Sequence, residues 1–361
     1  MNKKIIYTTL FTISISSLYG CSNPSTQIFP KFGGKIQGTV WCDQRYLDMV
    51  DEYQRLSNDT KKQLNLSKNG YIYALVATLT LQKDNSDKEF NFITPSYLKK
   101  INELSEEKNN GFAADTYIYR NLTSGENETI IAFRGSDDFF HDYILQNLAA
   151  FQLQNKTARE YVKKAVNYRN KHRNEFGRKV VVVGNSLGGA LAAHVTNHPD
   201  TANLITDAWV FNPSPRTGVL PPSGGNPKIR LLSTSSEVLN ITKRKRIGVQ
   251  EQNRYTNYDL IESSSIYNHY RWVLTREILW YADFALYLES DKKAISTPPL
   301  EIIKAQKITS AHCEITNKLT KQRRSEYESR NKENSNKSKG SIRLDEVIAV
   351  DSILDDSVLQ K

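Results

Sequence analysis

The order of apolar and polar positions along the middle of the chain predicts strands that alternate with helices. The apolar run within Lys179–Val183 is typical of a strand buried on both faces of a sheet. Between this run and the shorter apolar runs on either side lie segments whose apolar residues recur at helical spacing. The predicted strands are Ala114–Tyr119, Glu128–Phe133, Lys179–Val183, Ile205–Phe211 and Ile229–Ser233, and the predicted helices are Gln44–Leu56, Tyr71–Leu81, one from Thr157, Leu187–Asn197 and Arg271–Leu288. This order predicts an α/β fold with a mostly parallel central sheet flanked by helices.

Two local signals refine these elements. Ser124 and Gly125 lie in Asn121–Glu126, between the first two predicted strands, and indicate a hairpin turn. Thr157 is followed three residues later by Glu160, which is the pattern of a capping box. We therefore expect a helix to begin at Thr157.

The first twenty residues have the composition of an export signal. Lys3 and Lys4 precede a mostly apolar run over Ile5–Leu18, which is shorter than the ~20 residues of a membrane-spanning helix. The segment Leu18–Cys21 resembles a bacterial lipobox, in which the cysteine carries the lipid. We therefore expect an exported bacterial lipoprotein, anchored to a membrane through Cys21 and facing the periplasm or the cell surface. The alternative is an ordinary cleaved signal with a chance cysteine.

Composition divides the remaining chain into three parts. Residues 21–40 are rich in proline and glycine and predict a flexible tether, and residues 41–300 predict the folded domain. Residues 301–361 form a charged C-terminal extension. Within it, Lys321–Lys339 carries seven basic and three acidic residues and predicts disorder or a frayed helix. Ser341–Lys361 is acidic with scattered apolar residues, which leaves room for a small docking helix.

The net charge favours anionic partners only weakly. The whole chain carries +10, and loss of residues 1–20 removes Lys3 and Lys4 and leaves 10 − 2 = +8. Such a charge attracts a protein to phospholipid headgroups, but diffuse solubilising charge is the explanation we prefer. No motif predicts nucleic-acid binding. The predicted lipid anchor at Cys21 makes a membrane the expected partner.

Cysteine and histidine positions predict neither a metal nor a cofactor. If Cys21 carries a lipid, Cys42 and Cys313 remain, and in an oxidising compartment they either pair as a disulfide or stay free thiols. No His or Cys pair has the spacing of metal ligands. Glycine-rich phosphate loops and dinucleotide fingerprints are also absent from the sequence.

The segment Gly184–Gly188 has the pattern of a nucleophile elbow. It reads Gly-Asn-Ser-Leu-Gly, follows the predicted strand Lys179–Val183 and precedes the predicted helix Leu187–Asn197. An elbow needs small residues two before and two after the serine, because strand and helix pass closely there. The free amides of the helix N-terminus can stabilise a developing oxyanion. Ser186 is therefore the candidate nucleophile.

Several motifs in order resemble the class 3 lipases, a fungal-lipase-like family. Gly184–Ala192 is similar to the family's GHSLGGALA elbow, with Asn185 in place of histidine. Further matches lie upstream and downstream, and the resemblance covers roughly residues 65–290. These matches are Gly111–Ala114, Ile131–Ser136, Asp142–Leu148 (with Tyr143 where tryptophan is usual) and Phe211–Gly218. The resemblance implies an α/β-hydrolase fold with Ser186 as the nucleophile.

The resemblance also implies the remaining site residues. Ser136 matches the oxyanion residue of the upstream motif, and the amide of Leu187 would be a second oxyanion donor. The acid should follow the strand Ile229–Ser233, where the family has aspartate and this chain has Glu237 with no proline after it. Asp207, one strand earlier, is the rival acid.

The catalytic base should follow the acid in the chain. His269 and His312 are the two histidines after Glu237, and His269 directly precedes the last long predicted helix, as the family has it. For Arg134, in the upstream motif, we prefer a local ion pair to substrate binding. Similarly, we expect His194 to pack or face solvent behind the elbow.

These residues predict a serine-dependent carboxylic ester hydrolase acting on lipids, as a triacylglycerol lipase or phospholipase A, through an acyl-enzyme. Two alternatives stay open. The first is an esterase of the same mechanism for non-lipid acyl esters. The second is a surface lipoprotein that keeps a catalytically idle hydrolase fold.

Overall fold

One seven-stranded sheet organises the molecule, and its strand order in space follows the order in sequence. The structure is a computed structural model that describes residues 58–82, 91–135, 148–235, 237, 239, 244–258, 269, 271–290 and 296–306. The strands are β1 (Leu98–Glu107), β2 (Ala113–Arg120), β3 (Asn127–Phe133), β4 (Lys179–Asn185), β5 (Asp207–Phe211), β6 (Ile229–Thr234) and β7 (Arg254–Tyr258). The α-helices are α1 (Asn58–Leu79), α2 (Leu148–Lys171), α3 (Arg173–Phe176), α4 (Leu187–Asn197), α5 (Arg271–Glu289) and α6 (Pro298–Ala305). Short 3₁₀ turns cover Ala202–Leu204, Arg244–Ile247 and Glu251–Asn253.

The sheet is mixed, so the prediction of a mostly parallel sheet is correct only in part. Strands β3 to β7 pair in parallel, whereas β1, β2 and β3 pair antiparallel. The hairpin turn accounts for part of this. The amide of Asn121 donates to the Glu126 carbonyl at 2.8 Å, and strands joined by so short a turn must run antiparallel.

Two apolar cores lie on the two faces of the sheet. Alternate residues of β4 serve each face, with Val181 and Val183 in one core and Val180 and Val182 in the other. Helices α1, α5 and α6 cover the first face, and α2 and α4 cover the second. Burial on both faces explains why β4 is a continuous apolar run.

Helix α2 begins at Leu148, so the predicted capping box at Thr157 is wrong. Thr157 lies inside the helix, where Asn110 Nδ2 donates to its hydroxyl at 3.4 Å. The carboxylate of Glu160 lies 3.9 Å from Lys156 Nζ, one turn earlier. Residues inside a helix can match a cap pattern, and here the helix continues through it.

Helix α6 crosses the predicted end of the folded domain at residue 300. The Thr297 hydroxyl caps it by accepting the Leu300 amide at 3.3 Å, and Ile302 and Ile303 are buried. The packed chain thus continues to Gln306, which is also buried.

Several predictions lie outside the described residues. They concern the signal segment, the tether, the helix Gln44–Leu56 and the extension beyond residue 306, together with Cys21, Cys42 and Cys313. These stay predictions. Of the helices that the structure describes, none combines the length and apolar character needed to cross a bilayer.

Candidate active site

Ser186 occupies a sharp turn between β4 and α4. Its backbone has φ 54° and ψ −120°, a conformation that non-glycine residues rarely adopt. A Cβ on Gly184 would lie 2.2 Å from the carbonyl carbon of Gly188, and one on Gly188 would lie 2.1 Å from the Phe133 carbonyl oxygen. Glycine is thus required at both positions, because strand and helix pass too closely for any side chain.

The backbone of Ser186 is held by the strand next to it. Its amide donates to the Phe211 carbonyl at 3.0 Å, and its own carbonyl accepts the Ser214 amide at 3.0 Å. The first turn of α4 adds a bond from the Ala190 amide at 3.2 Å. The strained serine is fixed by neighbouring backbone on both sides of the turn.

A chain of hydrogen bonds runs from Ser186 through His269 to Glu237. Ser186 Oγ lies 2.9 Å from His269 Nε2, and His269 Nδ1 lies 2.5 Å from Glu237 Oε2. All three residues are buried. If Nδ1 donates to the carboxylate, Nε2 is left to accept the serine proton. The structure therefore brings together the candidate nucleophile, the candidate acid and the candidate base that the sequence singled out.

Arg244 contacts the other oxygen of the same carboxylate and was not found from the sequence. Its Nη2 donates to Glu237 Oε1, and its Nε donates to the Pro213 carbonyl at 3.1 Å. Burial lowers the pKa of this guanidinium below its usual value, and the charge of Glu237 opposes that effect. The sequence places Arg244 inside the basic run 243–246, which is typical of a solvated face, so only tertiary structure reveals its partner.

The rival acid, Asp207, lies at the opposite edge of the sheet. It begins β5 and is in register with Val181, whereas Phe211 at the end of β5 is in register with Asn185. Four residues of strand, about 13 Å, therefore separate Asp207 from the level of the nucleophile. Its carboxylate pairs with Arg230 Nη1 at 2.6 Å.

The side of Ser186 that faces β3 is lined by backbone. Leu187 is the first residue of α4, so its amide has no carbonyl partner within the helix. A Cβ on Gly135 would lie 3.5 Å from Ser186 Cβ, which places Gly135 beside the nucleophile. Ser136, the predicted oxyanion residue, follows Gly135 in sequence but lies outside the described residues. The described part of this side thus offers a helix N-terminus next to the serine hydroxyl.

Arg134, which directly precedes Gly135, makes a local ion pair. Its Nη2 lies 2.5 Å from Glu107 Oε1, and its amide donates to the Ala113 carbonyl at 2.9 Å. Both contacts tie the end of β3 to the antiparallel part of the sheet. The structure confirms the local ion pair that the sequence analysis preferred for Arg134.

His194, on α4, bonds to groups outside the hydrogen-bond chain of Ser186, His269 and Glu237. Arg159 Nη1 donates to its Nε2 at 2.7 Å, so its Nδ1 carries the proton and donates to the Thr217 carbonyl at 2.8 Å. Burial, opposed in part by the bond to Thr217, lowers the pKa of His194 to about 4. This histidine is a neutral packing residue at physiological pH.

No metal site competes with this arrangement in the part of the chain that the structure describes. Within those residues, no three His, Cys, Asp or Glu side chains are grouped so that they could hold an ion. The chemistry available here is therefore that of a serine hydroxyl next to an imidazole, a carboxylate and a helix N-terminus.

Part of the chain is similar to a known protein family. A family profile described as Mbeg1-like matches residues 87–217, a range that includes β1, the turn at Ser186 and β5. No curated protein matches the chain. The profile match includes the candidate nucleophile and ends before Glu237 and His269.

Proposed function

We propose that this protein is a serine-dependent carboxylic ester hydrolase of the α/β-hydrolase fold, acting on lipids as a lipase or phospholipase A. The observation that carries the proposal is the hydrogen-bond chain from Ser186 through His269 to Glu237, built on a strained turn between a parallel strand and a helix. Nucleophile, base and acid appear in the chain order expected of this fold. Packing of the core by itself does not require a serine, a histidine and a glutamate to be hydrogen-bonded to one another.

In the proposed reaction, Ser186 Oγ attacks the ester carbonyl carbon while His269 Nε2 takes the hydroxyl proton. The carbonyl oxygen becomes an oxyanion, which the Leu187 amide stabilises together with the N-terminus of α4. The intermediate expels the alcohol, which receives the proton from His269, and an acyl-enzyme remains. Water then attacks with His269 again as the base, and this step releases the carboxylic acid and regenerates the serine.

The lipid part of the proposal rests on the sequence. The motifs that resemble class 3 lipases, including Gly184–Ala192, favour acyl glycerides or phospholipids as substrates. The predicted lipid attachment at Cys21 would hold the enzyme at a membrane surface. Chain-length preference is therefore the property that separates a lipase from an esterase for non-lipid acyl esters.

The test compares wild type with Ser186→Ala on p-nitrophenyl esters from acetate to palmitate and on phosphatidylcholine vesicles and triacylglycerol emulsions. Ser124→Ala, in the exposed β2–β3 turn, serves as the matched control. We expect wild type and the control to hydrolyse long-chain esters and Ser186→Ala to lose at least about 10⁴-fold in rate. Preference for acetate would favour an esterase. Equal rates for wild type and Ser186→Ala would reject the proposed site, and no hydrolysis at all would favour an idle fold.

A further inference from the structure

The carboxylate of Glu237 is more tightly surrounded than a hydrogen bond to histidine requires. Its Oε2 accepts from His269 Nδ1 and from the Leu239 amide at 2.9 Å, and its Oε1 accepts from Arg244 Nη2. The side chains of Glu237 and Arg244 are 0% and 1% exposed. A buried anion is costly unless a cation and hydrogen-bond donors lie against it, as they do here.

The guanidinium of Arg244 also reaches a second loop of the site. Its Nε donates to the Pro213 carbonyl at 3.1 Å, and the next residue, Ser214, donates its amide to the carbonyl of Ser186. One planar group thus joins the acid to the loop that holds the nucleophile's backbone. Lysine could keep the charge but could not make both bonds with this fixed geometry.

We infer that Arg244 is a positioning residue that holds the Glu237 carboxylate against His269 and joins it to the loop that fixes the Ser186 backbone. The inference rests on the proposed function, because it concerns the same acid and base. The carboxylate presents one oxygen to the base and the other to a cation.

The charge of Arg244 and the planar shape of its guanidinium make separate contributions. The charge compensates a buried anion, and the shape fixes where that anion lies relative to His269. Arg254 on β7 is a further charged group whose field reaches Arg244, and it stays in place in every variant proposed here. Loss of either contribution should therefore lower kcat more than it changes KM.

The experiment uses two substitutions at Arg244 in the full-length chain. Arg244→Gln removes the charge. Arg244→Lys keeps the charge but lacks the planar guanidinium that bonds to both Glu237 and the Pro213 carbonyl. The readouts are the downfield proton NMR signal of the His269 Nδ1–H at one fixed pH, assigned with His269→Gln, and kcat and KM measured separately. Arg230→Gln, at the opposite edge of the sheet, removes a guanidinium from the other carboxylate and is the matched control.

For Arg244→Gln we expect the Nδ1–H signal to shift or disappear and kcat to fall about 10²-fold, because the carboxylate loses the group that fixes its position. For Arg244→Lys we expect kcat reduced about tenfold or more with KM near the wild-type value, because the acid and the Ser186 loop are no longer joined. Arg230→Gln should leave the Nδ1–H signal and kcat unchanged. Thermal unfolding followed by circular dichroism establishes that each variant is folded.

An unchanged Nδ1–H signal, or wild-type kcat, in a folded Arg244→Gln would overturn the inference and leave Arg244 a structural residue. If Arg244→Gln does not fold, Arg244→Lys decides, since wild-type kcat in that variant would contradict positioning by the guanidinium. The NMR signal needs no substrate. An inactive wild type would therefore reject the proposed function while the signal still tests the effect of Arg244 on His269.

Discussion

Two carboxylate–guanidinium pairs lie at opposite ends of the neighbouring strands β5 and β6. Asp207 and Arg230 pair at 2.6 Å near the amino ends of β5 and β6, and Glu237 and Arg244 pair beyond the carboxyl end of β6. The two pairs have the same chemistry. Only the second has a histidine and a serine hydroxyl in line with it.

Their surroundings explain the different roles. Around Asp207, Lys179 lies 3.4 Å away as a second cation, and the Arg230 side chain is 28% exposed and covers the Trp209 ring at 5.3 Å. That ion pair joins β5 and β6 at a partly solvent-exposed position. Glu237 is fully buried and lies near the carboxyl ends of the parallel strands, which is where open α/β sheets bind ligands. Position in the sheet, more than residue type, distinguishes a structural carboxylate from a candidate catalytic one.

The largest expected effect comes from neutralising each carboxylate in turn. Glu237→Gln should lower kcat about 10⁴-fold, because the imidazole loses the anion that orients it and stabilises its charged form. Asp207→Asn should leave kcat within a few-fold and lower the free energy of unfolding by at most about 1 kcal/mol. Steady-state kinetics and urea unfolding measure both. A larger rate loss in Asp207→Asn than in Glu237→Gln would reverse the assignment.

A length change at the same two positions sharpens the contrast. Glu237→Asp keeps the charge but withdraws the carboxylate by one methylene, so it cannot hold both His269 and Arg244 in their present places. We expect a loss of about 10²-fold in kcat, as for a displacement of about 1 Å. The matched change, Asp207→Glu, should alter kcat by less than a few-fold. Wild-type kcat in Glu237→Asp would show that the extra methylene is not needed.

A third prediction concerns His194, a buried histidine that carries no catalytic assignment. Its pKa is near 4 in the folded protein and about 6.5 in the unfolded chain. The unfolded state therefore binds the proton more readily, and stability falls as the pH drops from 6.5 towards 4. At pH 5 the free energy of unfolding should be lower than at pH 7.5 by about 2 kcal/mol from this group.

His194→Asn should remove most of that pH dependence while leaving the acidic limb of kcat/KM in place. The control is His172→Asn, because His172 is an exposed residue bonded to the Tyr168 carbonyl. Urea unfolding at the two pH values measures the difference. An unchanged pH dependence in His194→Asn would assign the acid sensitivity to other groups.

The smallest effect is expected at the ion pair beside the predicted oxyanion segment. Glu107 is 69% exposed and pairs with Arg134, so Glu107→Gln should cost less than about 1 kcal/mol of unfolding free energy. If the pair only braces the end of β3, kcat/KM for a long-chain ester stays at the wild-type value. A changed KM would instead point to Arg134 as a substrate contact.

The sequence predicted the elements next to the nucleophile well. The structure confirms α4 at Leu187–Asn197, and β4 ends two residues beyond the predicted Val183. Both follow from strong local signals, namely a strand buried on two faces and glycines that only a close approach explains. The acid and the base come from loops that are distant in sequence, so no local signal marks His269. It was predicted from its place in the chain order.

Other parts depend on tertiary structure and were missed. In β1 the buried residues Leu98, Ile101 and Leu104 recur every third position, which is closer to helical spacing than to the alternation of a strand. A register shift between Ile101 and Glu106 allows this pattern within a strand. Arg244 was missed for a related reason, since an inward-facing arginine in a basic run differs from its neighbours only through what it contacts.

The central claim is that Ser186 is a nucleophile activated by His269, and covalent labelling tests it most directly. Wild type, Ser186→Ala and His269→Gln are treated with a fluorophosphonate, and the adduct is located by peptide mass spectrometry. The account predicts one adduct per chain, on the peptide that contains Ser186, no adduct in Ser186→Ala, and labelling slowed by orders of magnitude in His269→Gln. Labelling of Ser186→Ala at the wild-type rate, or a wild type that does not label, would contradict it.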